Sequence, residues 1–195
     1  MKKYSIYTLF RNAFFLIISK AIYGKKIRII KGFPRIIKTG NIKFQEGFTA
    51  GIDLRLEALS EKSEIIFGKN VKINDYCHIG SITSITIGDN CLIGSRVTIV
   101  DHEHGVYGHS DSHDTSHPET APDERPLNTS PIVIEKNTWL AEGVVILSGV
   151  TIGEGSVIGA NAVVTKSIPK HCIAAGTPAK VIKKFNEDTN SWEKV

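Results

Sequence analysis

From Ile134 to Ile168 the chain repeats in sixes, and few folds accept that period. Ile134, Leu140, Ile146, Ile152, Ile158 and Val164 open successive units. Four places after each stands a small or β-branched residue: Thr138, Val144, Val150, Ser156, Ala162 and Ile168. A period of six matches neither an amphipathic helix nor a half-buried strand with simple alternation. It predicts a parallel β-helix, a solenoid in which the aliphatic residues of stacked coils form one buried column. Three such units close a triangular coil of about 18 residues.

The same ladder is legible, less regularly, nearer the N-terminus. Phe44, Ala50 and Leu56 are followed, after a break at Glu57–Ser63, by Phe67, Ile73 and Ile79. A two-residue slip at Ser84–Thr86 resets the frame to Ile87, Ile93 and Ile99. Gly68, Gly80, Gly88, Gly94, Gly153 and Gly159 each follow a ladder aliphatic, where a residue without Cβ would turn the corner cheaply. The pattern predicts a β-helix of about seven coils over residues 36–168. Residues 105–130 interrupt it as a long polar loop rich in His, Asp, Ser and Pro, which must project from a corner. Residues 169–195 are expected to form a closing segment with a short basic helix.

Residues 1–35 are expected to form a basic helical arm. Residues 1–38 hold ten of the 24 Lys and Arg, Lys2 and Lys3 among them, and none of the 20 acids, so a cationic arm precedes an acidic body. The apolar run Ala13–Ile18 is short for a membrane span, and Ser19-Lys20-Ala21 is a poor cleavage site. Two readings stay open: a helix capping the solenoid, or a basic interfacial helix touching anionic lipid. Cys77, Cys91 and Cys172 have neither disulfide nor zinc spacing and read as reduced thiols of a cytoplasmic protein.

Three segments carry a family resemblance: Ile87-Gly-Asp-Asn-Cys-Leu-Ile-Gly-Ser-Arg-Val97, Asp101-His-Glu-His-Gly105, and Trp139 through Lys183. They resemble the hexapeptide-repeat acyltransferases, especially the galactoside and maltose O-acetyltransferases and the acetyltransferases of surface-polysaccharide pathways. The resemblance implies a left-handed parallel β-helix and a homotrimer. It implies transfer of acetyl from acetyl-CoA to a sugar hydroxyl, in O-antigen or capsule synthesis. It implies a cytoplasmic enzyme, with peripheral contact at the inner membrane face through residues 1–38 left open. No metal and no nucleic-acid partner is expected.

Acetyl transfer to an alcohol needs a base at the hydroxyl, and imidazole titrates near working pH. The resemblance places that base at His104, five residues after Ile99, with His102 as the second choice and Asp101 or Glu103 to orient the ring. Asn74 matches an acceptor-binding asparagine, and Arg125 is a further acceptor candidate. The CoA groove corresponds to Trp139, Ala141, Glu142, Gly159, Ala160, Thr165 and Lys166. Lys180 and Lys183 stand where cations would meet the nucleotide phosphates. Galactoside-type enzymes have Pro after the histidine; Gly105 here points to a different acceptor. His102, His104, His109, His113 and His117 invite a zinc reading, but most lie in the loop without a scaffold to fix them. Two alternatives remain: N-acetylation of an amino nucleotide-sugar, and a non-catalytic β-helix scaffold.

Overall fold

A computed structural model describes residues 5–107 and 115–195. His109 and His113, and Lys2 and Lys3, lie outside the described residues. The chain winds into a triangular solenoid. Seven parallel strands stack on the first face: Ile27–Ile30, Phe48–Ala50, Lys72–Ile73, Leu92–Ile93, Trp139–Leu140, Val157–Ile158 and Cys172–Ala175. Six stack on the second: Arg35–Lys38, Arg55–Ala58, His78–Ser81, Thr98–Val100, Val145–Ile146 and Val163–Val164. Five stack on the third: Asn41–Phe44, Glu64–Phe67, Ser84–Ile87, Ile132–Ile134 and Thr151–Ile152; Ile168 extends it by a bridge to Ile152.

The six-residue period works because each short strand presents one aliphatic residue inward before the chain turns. Ile93, Leu140 and Ile158 pair in register on the first face, and Ile99, Ile146 and Val164 on the second. All six are fully buried. The lower end is filled by aromatics. Phe67 stacks on Phe44 at 5.3 Å between centroids and meets Phe48 at 4.8 Å. Cys77, Cys91 and Cys172 are free and buried, and burial pushes the thiols of Cys77 and Cys91 up to about 11. These sulfurs are packing atoms, poor as nucleophiles.

The corner glycines serve a purpose other than the expected one. Gly88 has no left-handed backbone. A Cβ there would sit 2.5 Å from the Lys136 nitrogen of the next coil, so glycine is required by close stacking. The left-handed turn is made two places later by Asn70, Asn90 and Asn137, with φ of 56°, 59° and 59°. Their amides bond upward, Asn70 to Asn90 (3.2 Å) and Asn90 to Asn137 (3.3 Å). Because the obstruction at Gly88 is backbone, Gly88→Ala is expected to cost about 1–3 kcal/mol, read as a lower midpoint in denaturant unfolding.

Two boundaries differ from expectation. The parallel ladder begins at Ile27–Ile30, paired with Phe48–Ala50, inside the segment assigned to the arm. The arm's own helix is Ile6–Tyr23, capped by Ser5 and ended by Gly24. At the other end there is no short basic helix: Lys180–Asn186 is a strand, antiparallel to Cys172–Ala175 and followed by Ser191–Lys194. The last coil leaves an open sheet edge at Cys172–Ala175. Pairing that edge satisfies backbone groups that a helix would leave bare.

Candidate active site

The second face ends at Val100, and the next residue anchors the inserted loop. Asp101 is fully buried. Its carboxylate accepts from Ser81 Oγ (2.7 Å), the backbone N–H groups of Ile82 (2.8 Å) and Thr83 (2.9 Å), and Thr83 Oγ1 (2.9 Å). Burial alone would raise its pKa, but these bonds and the His102 ring outweigh it and bring the carboxyl down to about 2. Its backbone carbonyl accepts from Ser130 N–H (3.0 Å), where the loop returns, and from Ser148 Oγ (3.0 Å) in the coil above.

Beyond this anchor, His102–His104 pairs antiparallel with Leu127–Thr129, so the loop leaves and returns as a two-stranded stem. His104 stands on that stem with its side chain exposed and its Nδ1 3.1 Å from the Pro122 carbonyl. A carbonyl only accepts, so Nδ1 carries the proton, and the Nε2 lone pair of the neutral ring has no partner among the described residues. That is the tautomer a general base needs. The His104 carbonyl accepts from the Tyr107 hydroxyl, and Arg125 donates to that hydroxyl through Nη1 (2.8 Å). Gly105 is at φ +106°, and a Cβ there would lie 2.5 Å from the same hydroxyl, so a side chain at 105 would break the arrangement.

These contacts reassign several residues. Neither Asp101 nor Glu103 touches His104: Asp101 pairs with His102 Nδ1 (3.3 Å), and Glu103 accepts from Asn128 across the stem (2.8 Å). The ring is oriented by a backbone carbonyl instead. Arg125 also donates to the carbonyls of Thr120 (2.9 Å) and Pro118 (2.9 Å). It braces the loop under His104.

The structure adds a polar cluster that the sequence did not flag. Glu57, nearly buried, accepts from Arg55 Nε (2.7 Å) and pairs with His78 Nε2 (3.0 Å). Burial would raise the Glu57 pKa; the bonds from Arg55 and His78 reverse that and hold it below its ordinary value. A Cβ on Gly80 would fall 3.3 Å from His78 Nε2 and 3.6 Å from His102 Cε1, so the missing side chain lets the two imidazoles converge. No signal in the sequence marked this cluster, because Arg55 faces His78 only through the register of successive coils.

A groove of about 620 Å³ runs up the first face and its following corner. It is lined by Asn74, Leu92, Gly94, Trp139, Ala141, Glu142, Val157, Gly159 and Ala160. Six of the expected acceptor and cofactor residues therefore meet: Asn74, Trp139, Ala141, Glu142, Gly159 and Ala160. Main-chain bonds stack Asn74, Gly94, Ala141, Gly159 and Ala175 in one column. Lys180 pairs with Ala175 and Lys183 with Ile173, continuing the groove's line at its upper end. Arg96 lies 3.7 Å from Glu142 and offsets its charge at the rim. Thr165 and Lys166 are not in the groove; they are exposed at the next corner, after the strand Val163–Val164. His104 is likewise not among the groove residues, because it follows the second face while the groove follows the first.

The stacked coils define a parallel β-helical protein. Residues 131–166 match the family model of the bacterial transferase hexapeptide, six repeats, and residues 84–106 that of the hexapeptide repeat of succinyl-transferase. Over 194 residues the chain is 45% identical to WbbJ of Escherichia coli K12, provisionally named a lipopolysaccharide biosynthesis O-acetyl transferase; the match covers 99% of this chain and 96% of WbbJ. The galactoside O-acetyltransferase of the same organism is 39% identical over 125 residues, 64% of this chain and 56% of its own length. Among solved structures, the polysialic acid O-acetyltransferase OatWY shares the fold, with a TM-score of 0.61 at 21% identity over 81% of this chain and 71% of that one. The chain belongs to the hexapeptide-repeat acetyltransferase family and has its left-handed parallel β-helix.

Among the described residues no group of three His, Cys, Asp or Glu side chains is placed to hold a metal ion.

Proposed function

We propose that this protein transfers the acetyl group of acetyl-CoA to a hydroxyl of a sugar in surface-polysaccharide synthesis, on the cytoplasmic side where acetyl-CoA is available. The observation that carries this reading is the His104 ring, fixed by the Pro122 carbonyl with Nε2 left free by the described residues. The 45% identity to WbbJ over nearly the whole chain supports the acceptor class.

In this reading the pantetheine arm lies along Trp139, Ala141, Gly159 and Ala160, where small side chains leave main-chain groups accessible. The nucleotide phosphates meet Lys180 and Lys183 at the upper end. His104 Nε2 takes the proton from the acceptor hydroxyl as the oxygen attacks the thioester carbonyl. A backbone N–H of the adjoining coil holds the oxyanion. Collapse breaks the carbon–sulfur bond, and the imidazolium returns its proton to the departing sulfur, giving an ester and CoA. Groove and base lie on different sides of one prism, so a neighbouring copy must supply the base to each groove. A three-sided prism suits cyclic three-fold closure, and a homotrimer follows.

The test is incubation with labelled acetyl-CoA and saccharide fractions of lipopolysaccharide or capsule. The expected product is an acetyl ester released by mild alkali. An alkali-stable product would mean an amide, and so an amino-sugar acceptor. No CoA binding by calorimetry would leave a scaffold.

A further inference from the structure

The helix Ile6–Tyr23 is amphipathic in the opposite sense to an ordinary surface helix. Its inner side is held to the solenoid. Ser19 is buried and its Oγ accepts the Ile30 N–H (2.8 Å). Phe15 meets Phe33 edge-on at 5.4 Å, and Tyr23 packs on the core. These three residues are spaced i, i+4, i+8 and mark one face. The opposite face should be polar if it met only water. Instead Ile6, Tyr7, Phe10, Phe14 and Ile17 stand there, 73%, 74%, 73%, 51% and 66% exposed. At about 100° per residue these five side chains share an arc of about 100°. A continuous exposed apolar stripe of this kind marks an interaction surface.

Charge identifies the occupant. Lys20 and Arg11 flank the stripe on either side, and Lys25, Lys26 and Arg28 follow directly in the chain. Residues 1–38 contain no acid to offset them. An apolar stripe bordered by cations alone complements a bilayer with anionic headgroups, where acyl chains take the rings and phosphates take the ammonium groups. We infer that the outer face of this helix docks the protein on an anionic membrane surface, lying flat in the headgroup region. On length and composition the helix could cross a bilayer. Crossing would require Phe15, Ser19 and Tyr23 to leave the solenoid, whereas lying flat keeps those contacts. The inference does not depend on the acetyl-transfer reading; it would bring the solenoid to an acceptor carried on lipid.

The test is flotation of the purified full-length protein with phosphatidylcholine vesicles, with and without phosphatidylglycerol. The protein is expected to float with the anionic vesicles at least about tenfold more than with neutral ones, and less as salt rises. Phe10→Glu with Ile17→Glu is expected to abolish flotation without changing the unfolding midpoint, since both residues are exposed. Lys25→Gln with Lys26→Gln, equally exposed, should weaken it. Failure of the parent protein to float overturns the inference, as does flotation of the Phe10/Ile17 variant at the parent's level. Loss of self-association in that variant, with no vesicle binding by the parent, would overturn it in favour of a contact between copies.

Discussion

His104→Ala is expected to lower kcat/KM for acetyl transfer by about 10²–10⁴ while CoA binding and the unfolding midpoint stay at parent values. The reasons are local. The side chain is exposed and, among the described residues, makes one hydrogen bond, to Pro122, whose carbonyl can turn to water when the ring is gone. No core contact is lost, so the loss should fall on the chemical step. His102→Ala is the necessary companion, because His102 also has Nδ1 occupied, by Asp101. A full loss in His102→Ala with near-parent turnover in His104→Ala would move the base to the Asp101–His102 pair. The assay is initial-rate release of the CoA thiol with an accepted saccharide, beside calorimetric titration with CoA.

The second large effect is on stability. Asp101→Asn keeps the volume but cannot keep the bonds. One carboxylate oxygen faces the fixed Ile82 N–H and the other the fixed Thr83 N–H. An amide in either orientation points its own N–H₂ at one of these donors, so one buried donor is always opposed. The expected cost is about 3 kcal/mol, or a fall of roughly 6–12 °C in the unfolding midpoint. The parent protein should show the same contribution in its acid response. Because folding lowers this carboxyl to about 2, the stability it adds is complete above its ordinary carboxylate range and fades as pH drops from there through about 2. The substituted amide does not titrate, so the Asp101→Asn variant should lack that share of the acid loss. Equal acid sensitivity in both proteins would show that the bonds to Ser81, Ile82 and Thr83 are not a source of stability.

The scaffold was readable because its rule is one-dimensional. A coil needs an inward aliphatic every six residues, and Ile134 through Val164 supply it without exception. What failed was set by tertiary context. Lys180–Asn186 has a residue mixture that reads as helix, but its alternating exposure follows from the open edge at Cys172–Ala175. Ile27–Ile30 was hidden under the charge of the arm, though its strand enters the first coil. At the candidate site, position 104 could be picked out by counting five places from Ile99, whereas the group that holds its ring could not. The ring is set by the Pro122 backbone carbonyl, an atom that every residue type carries, so no residue choice at 122 advertises it. The Glu57–His78 pair joins positions 21 apart and depends on coil register, which shifts with each irregular corner.

Asp101 has one more consequence. It ties the exit of the loop to its return, with Ser130 N–H bonded to the Asp101 carbonyl at 3.0 Å. The coils below and above therefore meet the same closed stem whatever lies beyond it. Once the ends are held, doubling the intervening chain adds only about 0.6 kcal/mol of closure entropy. The insertion is insulated from the solenoid: chain beyond the stem, apart from Gly105, Pro122 and Arg125 that set the His104 ring, can change in length without disturbing the coils.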